Sequence, residues 1–341
     1  MSIAENDGYG ALPDDKPMSR DWHYHPELPI RNAALFDWPP SVTGIAKWFA
    51  GVWLTVNTVT IWLALAIAVY YVLIPDLERM KTLEFSWIAE FYIRNLALIF
   101  TVAGGLHLYF YTFRRQGDRR RYDARAATGN RKKFTFNNQV HDNMFWTLAS
   151  GVTFWTAYEV LYFWGLANGM FPWVDWVDNP VWFVAWFVLI PLWSSMHFYW
   201  IHRFIHLKPI YKLAHALHHR NVNIGPWTGI SMHPLEHLLY FSSVAIHFVV
   251  PSHPVHFLLH MYFESLNPCC SHSGYRGILA GNRIPVELGD FHHQLHHRYF
   301  ECNYGTASMP WDKWFGTFHD GSEEETRRTK ERMKKVHGRK S

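Results

Sequence analysis

The sequence predicts an all-α integral membrane protein: about four transmembrane helices beneath a cytosolic, His-rich helical cap. Three observations carry that expectation. Four long stretches lack charge, the basic residues sit on alternate loops, and histidines recur at helical spacing near the end of the last stretch. The 341-residue chain is 49% apolar and 18% charged, which excludes a disordered or low-complexity class. Three cysteines, two of them adjacent (Cys269 and Cys270), make no disulfide framework.

Trp48–Pro75 holds no Asp, Glu, Lys or Arg over 28 positions. At about 1.5 Å per residue it crosses a hydrocarbon layer of about 30 Å. Asn95–Phe113 is a second such run, Asn143–Phe171 a third interrupted only by Glu159, and Asn179–Ile201 a fourth. A soluble helical core rarely needs four.

The loops set the expected orientation. Arg114, Arg115, Arg119, Arg120, Arg121, Arg125, Arg131, Lys132 and Lys133 lie between the second and third stretches. Gly169–Pro180, between the third and fourth, has Asp175 and Asp178 and no Lys or Arg. The positive-inside rule places the Arg-rich loop, both termini and everything after the fourth stretch in the cytoplasm. Residues 1–43 are then a polar cytosolic segment without a secretory signal, 44–201 a four-span stem, 202–320 the cap and 321–341 a basic tail. The basic clusters flank membrane segments, where anionic headgroups explain them without nucleic acid.

The histidines, 23 in all, demand the most explanation. His202 and His206 are four apart. His215, His218 and His219 repeat at i, i+3 and i+4, and so do His293, His296 and His297. Those offsets put side chains on one helix face. Neighbours such as His218 and His219, about 100° apart on a helix, reach two adjacent ions rather than crowding one. Imidazole suits Fe, Cu, Ni and Zn. The boxes hold no Cys, against iron–sulfur clusters and zinc ribbons, and eight ordered His exceed one structural site. His107, His141, His247, His253, His256, His260 and His319 read as ordinary core or interfacial residues. Leu238–Val250 and Val255–Phe263 are too short to cross and read as a re-entrant or interfacial helix pair.

The strings His202–His206 (HRFIH), His215–His219 (HALHH) and His293–His297 (HQLHH) resemble the fatty acid hydroxylase/sterol desaturase superfamily of integral-membrane non-haem di-iron enzymes. So do Ser231-Met-His-Pro-Leu-Glu-His237, Ser271-His-Ser-Gly-Tyr275, His296–Gly305 and Trp311–Thr317. The closing segments are similar to the sterol C5-desaturase and C4-methyl oxidase branches. The resemblance covers about Phe198–Thr317 and implies two Fe ions in the cap, with O2 as co-substrate, oxidising a C–H bond of a membrane lipid to an alcohol or an alkene. Its metal ligands here are His202, His206, His215, His218, His219, His293, His296 and His297, with His272 and His233 added. An extra His-x-x-x-His of the acyl-hydroxylating branch is incomplete, because Pro268 stands four before His272. Glu236, Asp290, His292, Glu301 and Asp312 are expected to support those ligands.

Two other readings compete. His233-Pro-Leu-Glu-His237 matches a zinc hydrolase string, H-x-x-E-H, and a metal transporter would place ligands within the spans. The oxygenase reading requires electrons from outside. The chain has no dinucleotide-binding G-x-G-x-x-G and too few Cys for an iron–sulfur cluster. The expected donor is a separate protein, a cytochrome b-type haem protein or a ferredoxin, with its reductase, steered by the basic loop and tail.

Overall fold

A computed structural model describes residues 18–125, 131–281 and 283–337. The start of the polar segment and residues 338–341 of the basic tail lie outside the described residues.

The first charge-free stretch forms two helices, α1 (Val42–Trp53) and α2 (Thr58–Leu73), bent by 43°. Asn57 makes the break. Its side chain accepts from Val59 and Thr60 N–H groups to start α2 while donating to the last carbonyls of α1, Gly51 and Val52. The second stretch lies in α3, Phe85–Thr112, a continuous 28-residue helix loosened by two π-helical turns. The fourth lies in α5, Pro180–Ile205, capped by Asn179 with Pro180 at its first position.

Among the described residues α3 and α5 are long and apolar enough to cross a membrane, and α1 with α2 adds a third crossing if the bent pair is one span. The third stretch does not join them. It belongs to α4, which runs from Gln139–Trp146 through a π turn, Thr147–Gly151, to Val152–Ala167. Asp142, Asn143, Thr147, Ser150, Thr156 and Glu159 all point inward and are buried. Glu159 meets Arg94, Asn95 and Trp155 there. A helix with such a polar inner face forfeits the apolarity of a simple span while remaining packed on α3.

One core joins α2, α3, α4 and α5 to α8 (Pro254–Ser265). Except for Phe263, every residue of α8 is buried, so this helix runs through the protein rather than along a bilayer surface. It follows α7 (Pro234–Phe241) and a 3-10 turn, Ser242–Phe248.

Opposite ends of α5 carry different structures. At the Pro180 end, Trp173 bridges to Ser252, and the indoles of Trp182 and Trp186 donate to the Pro251 carbonyl. At the other end are α6 (the turns from Lys208 to His219), α9 (Phe291–Tyr299) and α10 (Glu323–His337). A small antiparallel hairpin, β1 (Gly277–Ala280) and β2 (Arg283–Glu287), closes this end. The Arg-rich loop is built into it: Arg121 bridges to Tyr275, and Arg276 N–H donates to the Arg120 carbonyl. Arg114 and Arg121 pair with Asp118, and Arg125 with Asp123.

The polar amino-terminal segment also docks here. Trp22 and Tyr24 form a second small core with Tyr122, Phe291 and Leu295. Trp22 packs edge-on to Phe291 with ring centroids 4.9 Å apart, and the Arg298 guanidinium lies 4.4 Å above the Trp22 ring. This strap holds down α9, the helix that bears the last histidine box.

Candidate metal centre

The boxes are helical because their local signals say so. Asp290 caps α9 by accepting from the His292 and His293 N–H groups, at 2.9 and 3.4 Å. His202 rides the final turn of α5, and the chain then folds back through α6. Two groups of imidazole nitrogens result. His202, His206, His215, His219 and His296 form one, and His218, His272, His293 and His297 the other; within each, the ligand atoms lie within 4.8 Å of one another. His218 and His219 serve different groups, as their angular separation requires. All nine are buried except half-buried His206.

Hydrogen bonding fixes which nitrogen points inward. His272 Nδ1 faces the Pro268 carbonyl at 2.9 Å and His297 Nδ1 the Asn221 carbonyl at 3.1 Å. His202 Nδ1 meets the Tyr304 carbonyl at 2.7 Å, His296 Nδ1 the Cys302 carbonyl at 2.6 Å, and His218 Nδ1 the Ser231 carbonyl at 3.4 Å. A carbonyl only accepts, so Nδ1 holds the proton and Nε2 keeps a lone pair. The Nε2 atoms nevertheless face each other: His272–His297 at 3.1 Å, His272–His293 at 3.0 Å and His296–His219 at 3.0 Å. For His272 and His297, whose Nδ1 atoms both face carbonyls, two lone pairs at that distance repel unless a cation lies between them. Adjacent ligands at 90° and a metal–nitrogen length of about 2.1 Å are separated by about 3.0 Å. The residues therefore fit metal ions.

Burial supports the same fit. It lowers His218 to about 4 and holds His215, His219, His272, His293, His296 and His297 well below the usual imidazole range. Neutral rings are the ligating form. Glu236 approaches His215 Nδ1 at 2.6 Å, and its other oxygen has no hydrogen-bond partner. Burial raises this carboxyl, so its ionised form needs positive charge nearby, which a metal on His215 supplies.

The remaining expected residues act at one remove or stand apart. Asp312 accepts from Tyr304 N, Gly305 N and the Thr317 hydroxyl, at 2.8, 2.8 and 2.6 Å. It thereby fixes the loop whose carbonyls orient His202 and His296. Glu301 accepts from the Tyr304 hydroxyl at 2.6 Å. His292 is buried against Phe318, 3.6 Å from Asp312, and belongs to neither group. His233 also joins neither; its Nδ1 caps α7 by accepting from Leu235 N–H at 3.2 Å. The hydrolase string does not converge, because Glu236 turns to His215 while His237 binds Ser150 and the Ile230 carbonyl. Sequence reasoning missed the backbone acceptors, since a carbonyl carries no residue signature.

A cavity of about 110 Å³ lies beside this centre, between the end of α3 and α9. Its walls include His107, Tyr111, Trp227 and Gln294, and none of its lining comes from α7 or α8.

Residues 187–317 match the fatty acid hydroxylase family. A Delta(7)-sterol-C5(6)-desaturase of Nicotiana tabacum is 28% identical over 162 residues, 46% of this chain and 56% of the relative. A Delta(7)-sterol 5(6)-desaturase of Gibberella zeae is 31% identical over 134 residues, 38% of this chain and 40% of its own. The Delta(7)-sterol 5(6)-desaturase of Saccharomyces cerevisiae is 31% identical over 121 residues, 35% and 32%. The matches thus span about half or less of these curated relatives. No solved structure matches. Two to three helices are long and apolar enough to cross a membrane, and the matched relatives are sterol desaturases by name. Through the segment that carries all three histidine boxes, the chain is similar to the fatty acid hydroxylase family and to sterol C5(6)-desaturases.

Proposed function

We propose that the protein is a multi-pass, membrane-bound di-iron oxidoreductase that hydroxylates or desaturates a C–H bond of a sterol-type or acyl lipid. It uses O2 and two external electrons. The observation that carries this reading is the pair of adjacent nitrogen groups, with inward lone pairs and no cysteine. Two iron ions bound there would supply the O2-activating redox chemistry. His202, His206, His215, His219 and His296 would hold one, and His218, His272, His293 and His297 the other. The backbone carbonyls keep Nε2 aimed inward, and Glu236 offsets charge at His215. Burial of the rings keeps water from the reacting carbon.

The relatives' names favour a sterol-type substrate. It would enter from the bilayer, because His202 lies at the end of α5, a candidate span. The metal groups, the amino-terminal strap and the basic tail share one end of the molecule, which the basic loops assign to the cytoplasm. A separate cytochrome b-type protein or ferredoxin, with its reductase, would deliver the electrons there. The test is iron content of the purified chain followed by lipid analysis with donor, reductase and NADPH. About two irons per chain and an O2-dependent hydroxylated or desaturated lipid are expected. One zinc, no iron and a hydrolysed product would overturn the reading.

A further inference from the structure

A second set of buried polar side chains lies below the metal groups, where the proposed reaction does not use it. His247 Nδ1 bonds to the Ser252 hydroxyl at 2.8 Å, and His247 Nε2 to His260 Nδ1 at 3.1 Å. His260 Nε2 reaches the Ser243 hydroxyl at 2.9 Å and Glu264 Oε1 at 3.4 Å. Ser194 of α5 donates to the same carboxylate oxygen at 2.6 Å. His247, His260, Ser252 and Ser243 are fully buried and Glu264 nearly so. Burying ionisable groups this way is costly, and chains of Asp, Glu and His inside membrane proteins recur as proton paths.

Helix α5 measures where the chain runs. Trp186 is tied to Pro251 at the loop end, Ser194 to Glu264, and His202 belongs to the metal groups. Each step is eight residues, about 12 Å. The chain therefore climbs from the end bearing the 169–180 loop to a level about 12 Å below the metal ligands. At the bottom, His253 follows Ser252 and packs edge-on to Trp173 of that loop, ring centroids 5.7 Å apart. At the top, Glu264 is faced by Ser194 and His197 of α5, His260 of its own helix and Tyr240 of α7.

We infer that Ser252, His247, His260 and Glu264 form a proton relay linking Glu264 to the compartment bathed by the 169–180 loop. Each imidazole takes a proton at one nitrogen and releases one from the other. An N–H bond forms as another breaks, with no change in oxidation state. The purpose of the relay rests on the proposed function. Hydroxylation consumes one O2, two electrons and two protons, yielding the alcohol and one water, and desaturation takes the same inputs and yields two waters. Protons arriving from the loop end and electrons from the cap end would make turnover move charge across the membrane.

The test uses the metal-free full chain in vesicles of one orientation, so it stands or falls apart from the oxidation reaction. The pH is stepped on one side at a time while the carboxylic C=O stretch of Glu264, assigned by its loss in Glu264→Gln, is followed by infrared difference spectroscopy. The band should follow pH on the 169–180 side. That response should vanish in His247→Gln and His260→Gln, where an amide keeps a hydrogen bond but passes no proton, in protein shown to be inserted and folded. A band that follows the tail side, that survives both variants unchanged, or that never forms overturns the relay.

Discussion

In the cap, Nδ1 of His202, His218, His272, His296 and His297 turns to a backbone carbonyl, and Nε2 atoms face one another at 3.0–3.1 Å. Below them, in the core shared by α5 and α8, His247 and His260 are buried as deeply, yet Nδ1 of one meets Nε2 of the other, and hydroxyls and a carboxylate take up the remaining nitrogens. The first wiring is unsatisfied without a cation. The second is complete as it stands, each donor meeting an acceptor. The histidines of both regions are buried, so what separates a metal site from a proton path is which nitrogen faces which.

The largest expected effect breaks the first wiring. His296→Ala or His218→Ala should lower iron from about two to about one or none per chain and abolish lipid oxidation, measured by metal analysis and product formation. Unchanged iron in either variant would remove that histidine from the ligand set. Glu236→Gln leaves the rings in place and withdraws only the compensating charge. Metal affinity should fall about 10–100-fold, read by chelator competition.

Acid offers a third comparison. Folded His218 sits near 4, below the 6.5 of an exposed imidazole, so below pH 6.5 the unfolded chain binds protons that the folded chain refuses. In the metal-free protein, stability contributed by the neutral ring is present above about pH 6.5 and is lost as pH falls toward about 4. The loss is on the order of 3 kcal/mol from this residue. Thermal unfolding of the metal-free chain across that window checks the sign; melting that rises on acidification would refute it. The smallest effect belongs to the lower set: His247→Gln should leave iron content unchanged, and loss of metal there would erase the distinction between the two regions.

These contrasts also show what residues alone reveal. The spacing of the boxes announced their convergence, because helical periodicity is a sequence property. The assignment of His218 and His219 to different groups followed from the same geometry. Charge-free runs located α3 and α5, but in α4 the inward polar face of Asn143, Thr147, Ser150 and Glu159 became visible only when α3 and α7 were packed against it. His233 looked like a ligand because it sits in a family-like string, while its Nδ1 is taken up in capping α7. The carbonyls of Tyr304, Cys302 and Asn221 do half the work of aiming the rings, and any residue type would supply them. The amino-terminal segment read as a polar tail, although its Trp22 and Tyr24 are the aromatic anchors a docked strap needs.

That strap orders events in time. Asp21 reaches Arg298, 277 residues later, so the strap cannot seat until α9 has been made. Until α9 emerges, His293, His296 and His297 are missing and neither nitrogen group is complete. Between the arrival of α9 and the seating of Trp22 on Phe291, the ligand helix is attached but not yet clamped. That interval ends on a long-range contact, and closure of this kind is slow. A strap seated on an empty centre would bury the facing Nε2 atoms of His272 and His297 with no cation between them.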